Sequence, residues 1–199
     1  MTIEQQRLDY PLTADSLVLD VGVYQGQFTR DVIYRFGCRV WAFEPVRASY
    51  EHAKVALALG PSSMATTRVR LFHAALGPTH GTAVMSVRND SSSLHLPSET
   101  TEAVFLASGG AVFRALSAEG LETVDLMKVN IEGAEYDLLD AMLDLGLLAR
   151  VRYLQVQFHY YGAGEAGPVA RRDAIRMRLA KTHEEQWCEP FVWESWGRR

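Results

Sequence analysis

The sequence predicts an α/β fold: a mostly parallel sheet with helices on both faces. Three observations carry that expectation. Short apolar, β-branched or aromatic runs alternate with helix-period segments from residue 17 to residue 158. Glycines stand where helices should stop, at Gly37, Gly60-Pro61 and Gly146. The first apolar run passes straight into a glycine-rich turn and a helix, through "DVGVYQG" at Asp20–Gly26, and this strand–turn–helix unit is the one from which such sheets are wound.

Leu17–Val21 is the first strand, and Phe28, Val32 and Phe36 at helical spacing place a helix over Gln27–Phe36. Arg39–Phe43 ("RVWAF") is a second strand by its β-branched and aromatic content. Arg47–Leu59 is helical, with Tyr50, Ala53 and Leu57 on one stripe, and Val69–Ala75 is a third strand. Thr82–Val87 alternates and predicts a short extra strand. Ser, Thr, Pro and Gly dominate Asn89–Gly110, which reads as mostly loop. A short helix over Ala111–Glu119 leads to a fourth core strand, Val124–Ile131. Leu138, Leu139, Met142 and Leu143 cluster on a helix over Glu135–Leu145, and Val151–Phe158 is the fifth strand. The helix at Val169–Lys181 carries Arg171, Arg172, Arg176, Arg178 and Lys181 on more than one side, as a solvated surface would. Glu185–Cys188 and Phe191–Trp196 flank Pro190 and predict a terminal hairpin. No repeat or long linker divides the chain, so one domain over 1–199 is expected.

With 199 residues, 48% of them hydrophobic, the chain can bury a sizeable core. A net charge of −4 and a pI near 5.9 give no basic signature for nucleic acid, and no such partner is expected. Met1–Tyr10 lacks the apolar region of a signal peptide, and no apolar run approaches the roughly 18 residues of a membrane helix, so no membrane span is expected. Cys38 and Cys188 are too few for a disulfide framework or zinc spacing. Cys38 reads as a small core residue, and a reducing, cytoplasmic setting is the simplest reading.

The first turn points to a kind of ligand. A dinucleotide fingerprint would be G-x-G-x-x-G, whereas this turn is Asp20-x-Gly22-x-x-x-Gly26. A carboxylate ahead of the first glycine repels a pyrophosphate and suits a cationic ligand such as S-adenosylmethionine, which has an ammonium, a sulfonium and no phosphate. Gly22 would let the backbone approach that ligand closely, and the helix opened by Gly26 offers free N–H groups to a carboxylate. Glu44, at the tip of the second strand, lies 18 residues past Gly26, where an acid chelates ribose hydroxyls. The alternative is that Asp20 and Glu44 are ordinary loop-edge acids and the glycines only shape a turn. A nicotinamide oxidoreductase on a similar sheet is disfavoured because the second closely spaced glycine is missing.

"LDVGVYQGQFT", "AFEP", "NDSSSL" and "DLMKVNIEGAEYDLL" together resemble the FkbM family of S-adenosylmethionine-dependent methyltransferases, over about residues 17–160. The most specific block is Lys128, Glu132, Gly133, Ala134 and Glu135. The resemblance implies a three-layer, Rossmann-like class I methyltransferase fold, with a seven-stranded sheet whose last strand is antiparallel. It implies O-methyl transfer to a hydroxyl of a small molecule or glycan, with S-adenosylhomocysteine as product. Asp20, Gly22 and Gly26 would hold the methionine end of the donor, with Val23, Tyr24, Phe28 and Thr29 around them. Glu44 and Pro45 would meet the ribose, His73 and Ala74 would lie near the adenine, and Ser92, within Ser91–Ser93, would sit at the pocket mouth. Asn130 and Glu132 would face the sulfonium and the acceptor. His159 follows the fifth strand, where the family usually has a histidine. The chain departs from the family at Asn130, usually Asp, and at Gln157, often Glu. Amides are weaker ligands for hard cations than carboxylates, so no metal is expected, and one candidate base is lost.

A hydroxyl acceptor must lose its proton. His159 suits that on its ordinary pKa near 6.5, and Glu132 is the second candidate if burial raises its pKa. Glu132 also opens a helix, where the macrodipole favours an acid anyway, and His159 beside Tyr160 and Tyr161 can simply cap the sheet. Ser91–Ser93 can be plain loop, and Lys128 is more suited to an ion pair than to catalysis. His52, His80 and His183 are expected on the surface. Phe105, Phe113, Tyr160, Tyr161, Trp193 and Trp196 can form an acceptor wall, belong to the core, or make a homodimer face. A non-catalytic, degenerate donor-binding member is the rival function, motivated by Asn130 and Gln157.

Overall fold

The computed structural model describes residues 2–58, 67–87, 100–160 and 167–199. The elements are α1 (Ile3–Gln6), β1 (Leu17–Val21), α2 (Gln27–Phe36), β2 (Arg39–Phe43), α3 (Arg47–Ala56), β3 (Val69–Phe72), β4 (Ala75–Gly77), β5 (Gly81–Ser86) and β6 (Thr101–Ser108). They continue with α4 (Gly109–Ala118), β7 (Val124–Val129), α5 (Glu135–Asp144), a 3-10 turn (Leu147–Arg150), β8 (Val151–Val156), α6 (Gly167–Leu179), β9 (His183–Glu189) and β10 (Trp193–Arg198).

Seven strands form one sheet in the order β3-β2-β1-β7-β8-β10-β9. β3 to β8 run parallel, and β10, the last strand, runs antiparallel to both β8 and β9. The alternation of side chains along β1 sends Leu17, Leu19 and Val21 to the face covered by α4, α5 and α6, through Phe113, Leu139 and Ile175. Val18 goes to the other face, where Phe28 and Val32 of α2 and Ala53 of α3 cover it. Both faces are thus sealed, which is why β1 reads as an unbroken apolar run. Cys38 is buried in the α2/α3 layer, as its apolar setting predicts.

Three expectations need correction. The Asn89–Gly110 stretch is not mostly loop where it is described: Thr101–Ser108 is an eight-residue strand, β6. It pairs parallel with β4 and antiparallel with β5 in a second, three-stranded sheet. Val104 points inward onto Val46 and Met85, while Phe105, on the opposite face, is exposed. His183 is fully buried: Nε2 lies 3.0 Å from the Val151 carbonyl oxygen and Nδ1 2.8 Å from Thr182 Oγ1. Burial lowers its pKa against the pull of that carbonyl contact, which fits a neutral ring donating from Nε2 and accepting at Nδ1. The arginines of α6 are not a solvated face. Arg171 pairs with Asp137 and Asp140, Arg178 with Asp140 and Asp144, and Arg172 and Arg176 with Glu194 of β10. They tie α6 to α5 and to the terminal hairpin. Of the candidate aromatic wall, Phe113, Trp193 and Trp196 are core, Tyr160 is exposed, and Tyr161 lies outside the described residues.

The tips of the two central strands are fixed by a buried ion pair. Asp20 is wholly enclosed and Lys128 nearly so. Lys128 Nζ donates to Asp20 Oδ1 at 3.0 Å and to the Gly22 carbonyl at 2.6 Å, and Thr29 Oγ1 donates to Asp20 Oδ2 at 2.6 Å. Asp20 therefore has its charge met inside the fold. Gly22 carries φ +87°, and a Cβ there would stand 1.9 Å from the Asn130 carbonyl oxygen. The glycine serves the contact between β1 and β7 before any ligand arrives. Lys128→Met leaves the Asp20 carboxylate buried without a counter-charge and should cost about 3–5 kcal/mol of unfolding free energy. Urea denaturation checks this, and Asp20→Asn combined with Lys128→Met should recover much of the loss.

Candidate functional site

Beyond the carboxyl ends of β1, β2 and β7, where the strand order reverses and α/β sheets take their ligands, lies a cavity of about 170 Å³. Val21, Gly22 and Tyr24 form one side of it, Phe43, Glu44, Pro45, Val46 and Ser49 a second. Ala75, Leu76 and Met85 come from the second sheet, and Asn130, Ile131, Glu132 and Ala134 from the loop after β7. It adjoins a wider hollow of about 520 Å³, with Tyr24, Val46 and Ser49 common to both and Gln25 and His52 on the hollow's outer wall.

Glu44 is the acid of this cavity. Its Oε2 accepts the Tyr24 N–H at 2.7 Å and its Oε1 the Val46 N–H at 2.9 Å, so the first turn and the start of α3 are both hung on one carboxyl group. Tyr24 takes the left-handed φ of 53° to deliver that N–H. Burial pushes the Glu44 pKa up to about 7, against the two backbone N–H groups and the Lys128 charge, which pull it down. Opposite it, Asn130 Oδ1 is buried with no hydrogen-bond partner among the described residues. A cavity beside a buried, unpartnered acceptor and a carboxyl group whose pKa burial has raised fits a ligand rich in donors, such as ribose hydroxyls and an ammonium. S-adenosylmethionine has both.

At the acceptor end the loop after β7 meets the end of β8. Glu132 has φ 52°, and its Oε1 lies 3.1 Å from His159 Nε2. Glu135, fully buried at the first turn of α5, takes His159 from the other side: its Oε1 accepts the His159 backbone N–H at 2.7 Å and lies 3.2 Å from Nδ1. Its Oε2 accepts the Gly133 N–H at 2.8 Å. The Tyr136 hydroxyl donates to the His159 carbonyl at 2.8 Å. Burial lowers the His159 pKa, but the hydrogen bonds and charges of Glu132 and Glu135 outweigh it and push it up to about 9. At neutral pH this ring holds its proton. Among the described residues, no group of three His, Cys, Asp or Glu side chains is arranged to hold a metal ion.

Gly22, Tyr24, Glu44, Pro45, Asn130 and Glu132 of the expected site thus lie on one cavity, with His159 reached through Glu132. Asp20, Val23, Gly26, Phe28, Thr29, His73 and Ala74 are not on its wall. Asp20, expected to meet the donor's positive charge, is instead wholly enclosed and paired with Lys128. Gly26, φ +86°, instead packs the start of α2 on Leu57. His73 stacks on Tyr50 with ring centroids 4.8 Å apart, while Ala75 and Leu76, just beyond it in sequence, line the cavity. Ser92 lies outside the described residues. Sequence reasoning named Glu135 in the "EGAE" block but gave it no role, and missed Met85, which the second sheet brings in.

Comparison with known proteins accords with this geometry. The Methyltransferase FkbM domain profile matches residues 20–184. No curated protein matches the chain in sequence. Among solved structures it resembles a methyltransferase FkbM from Methylobacillus flagellatus KT, at 13% identity and TM-score 0.58, covering 94% of this chain and 44% of that one. It also resembles a putative rRNA-methylase from Clostridium thermocellum, at 11% identity and TM-score 0.61, covering 100% of this chain and 98% of that one. A third is TrmK of M. capricolum, solved with the natural cofactor product S-adenosyl-homocysteine, at 6% identity and TM-score 0.51, covering 100% and 69%. The chain spans less than half the length of the Methylobacillus protein, and at these identities the likeness is one of fold. The profile match runs from the tip of β1 through α6 and takes in the whole cavity wall; the chain belongs to the FkbM methyltransferase family, whose methyl donor is S-adenosylmethionine.

Proposed function

We propose that the chain transfers a methyl group from S-adenosylmethionine to a hydroxyl of a small molecule or glycan, with Glu44 and Asn130 holding the donor and His159 taking the acceptor's proton. The observation that carries the reading is the contact between Glu132, on the cavity wall, and His159 Nε2, which joins the donor cavity to a titratable group. The donor supplies an electrophilic methyl: the acceptor oxygen forms the O–C bond with its lone pair, the C–S bond breaks with its pair going to sulfur, and the hydroxyl proton leaves. Every other part of the task is alignment and proton handling by the chain. Glu44 and Asn130 Oδ1 accept from ribose hydroxyls and ammonium, Gly22 and Tyr24 shape the floor, and His159 receives the proton once its ring is neutral.

Two of the similar structures are described as a putative rRNA-methylase and a putative tRNA methyltransferase. The net charge of −4 and the two carboxylates flanking His159 disfavour a polyanionic acceptor here. No helix among the described residues is long and apolar enough to cross a membrane, and a cytoplasmic, reducing setting remains our reading of the cysteine content. The rival, a donor-binding protein without catalysis, predicts tight donor binding and no His159-dependent transfer. Turnover of methyl-labelled S-adenosylmethionine against a hydroxyl library decides. His159→Ala should lower transfer by about 10²–10⁴-fold, and transfer indifferent to that change would remove the reading.

Two pH effects follow. Donor hydroxyls favour the ionised form of Glu44, so affinity for S-adenosylhomocysteine should rise with pH up to about 7 and then level, with proton release on binding. Glu44→Gln should flatten that dependence and weaken binding roughly ten- to a hundredfold, the loss of a charge-assisted hydrogen bond worth about 1.5–3 kcal/mol; calorimetry in buffers of different ionisation enthalpy reads both. His159 is raised from 6.5 to about 9, so its contribution to stability is complete below about 6.5 and is lost as pH climbs through about 9, while base-catalysed transfer grows over the same rise. Thermal unfolding and rate profiles from pH 6 to 10 check the opposed trends. Glu132→Gln, which removes one of the two carboxylates, should move both to lower pH.

A further inference from the structure

Glu135 is a buried titratable group beside His159 that the reaction as described leaves unused. It is a fully enclosed carboxylate, and no lysine or arginine pairs with it among the described residues. Its contacts are the Gly133 N–H on one oxygen, and the His159 N–H and Nδ1 on the other. Burying a carboxylate is costly unless it is paired and hydrogen-bonded. Here the donors come from the histidine and from the loop that carries Glu132. His159 is clamped at three points: its N–H and Nδ1 by Glu135, and its carbonyl by the Tyr136 hydroxyl. Nε2 is the ring nitrogen in contact with Glu132 Oε1, and Glu132 is a residue of the cavity wall.

We propose that Glu135 is a positioning residue for methyl transfer: it keeps the His159 proton on Nδ1, so that Nε2 is the atom presented to the acceptor hydroxyl, in the seat that Glu132 Oε1 occupies when no acceptor is bound. The inference rests on the base role given to His159 above. A neutral imidazole has one N–H and one lone pair, and the partner of one nitrogen decides which nitrogen carries which. Both ring nitrogens meet a carboxylate, but Glu135 is fully enclosed and fixed by the Gly133 N–H, whereas the Glu132 side chain is partly exposed and can turn to water, so a ring that gives up one proton gives it up from Nε2. When the acceptor hydroxyl takes the place of Glu132, its O–H bond breaks, the proton forms the N–H bond at Nε2, and the electron pair stays on the oxygen. The imidazolium so formed lies against Glu135, which stabilises it as the buried acid of a Ser-His-Asp triad does. The charged groups facing the ring among the described residues are Glu132 and Glu135, from the β7–α5 loop and from α5 itself.

The test reads the ring directly. Protein labelled with 15N at histidine is titrated by NMR, as wild type, Glu135→Gln and Glu132→Gln, without donor or acceptor. Above its pKa the wild-type ring should be the Nδ1–H tautomer. Glu132→Gln should keep that tautomer with a lower pKa, and Glu135→Gln should give a mixture of tautomers with a lower pKa. An Nε2–H tautomer in the neutral wild-type protein overturns the proposal, and needs no variant to fold. A Glu135→Gln protein that keeps Nδ1–H overturns it equally. Transfer unaffected by His159→Gln, with Nδ1–H intact, instead removes the base role and with it the catalytic meaning of the contact. Transfer that depends on His159 while the proton sits on Nε2 removes Glu135 alone. Where both hold, Glu135→Gln should lower the rate at saturating substrate by about tenfold or more and leave KM little changed.

Discussion

The Asp20–Lys128 pair connects two strands distant in sequence and adjacent in the sheet, and the site is assembled around it. Lys128 reaches over Asp20 to the Gly22 carbonyl, so one ammonium group sets the height of β7 against the turn that follows β1. That spacing brings the Gly22 backbone against the Asn130 carbonyl with no room for a side chain. Asn130 is then presented at the cavity rim and Glu132 two residues further on. A buried pair of this kind contributes little net stability, because desolvation offsets most of the attraction. Its effect is geometric, since a slip of either strand leaves a charge unpaired in the core.

With Lys128 engaged below the cavity, the charged groups that remain near it are mostly acids. Glu44 stands at the ribose side, and Glu132 and Glu135 bracket His159 at the acceptor side. An acidic enclosure of small volume attracts a cationic, hydroxyl-bearing donor and repels phosphates. The two strand-tip acids are therefore not equivalent: Asp20 organises the tips, while Glu44 lies on the cavity wall together with the neutral Asn130.

The parallel core was legible because its signals are local. Apolar runs mark β1, β2, β7 and β8, glycines mark the helix ends, and the "DVGVYQG" turn stands where the sheet's strand order reverses. The second sheet was not legible. Thr101–Ser108 follows a Ser- and Thr-rich segment and presents one face to Val46 and Met85 and the other to solvent, so its strand character depends on partners elsewhere in the chain. For the same reason Ala75, Leu76 and Met85 escaped notice as cavity lining. The charged residues misled in a different way. Sequence gives an acid's position along a strand but not its partner, so Asp20 and Glu44 look equivalent until Lys128 claims one of them. The arginines of α6 and the ring of His183 look exposed until β10 and Val151 are packed beside them.

Asn130, where the family usually carries an aspartate, gains a physical reading from its surroundings. An aspartate there would add a carboxylate to a region already holding Glu132 and Glu135, with the Lys128 ammonium committed to Asp20 and Gly22. Like charges packed closely raise one another's pKa and blur which group ionises. The amide keeps an acceptor oxygen, Oδ1, buried beside the cavity without adding charge. The change therefore removes a spare base and leaves His159, held by Glu135 on one nitrogen, as the group whose protonation the acceptor would feel. The same carboxylate also ties the backbone of Gly133 to that of His159, so the β7–α5 loop and the end of β8 are joined by the group that holds the ring.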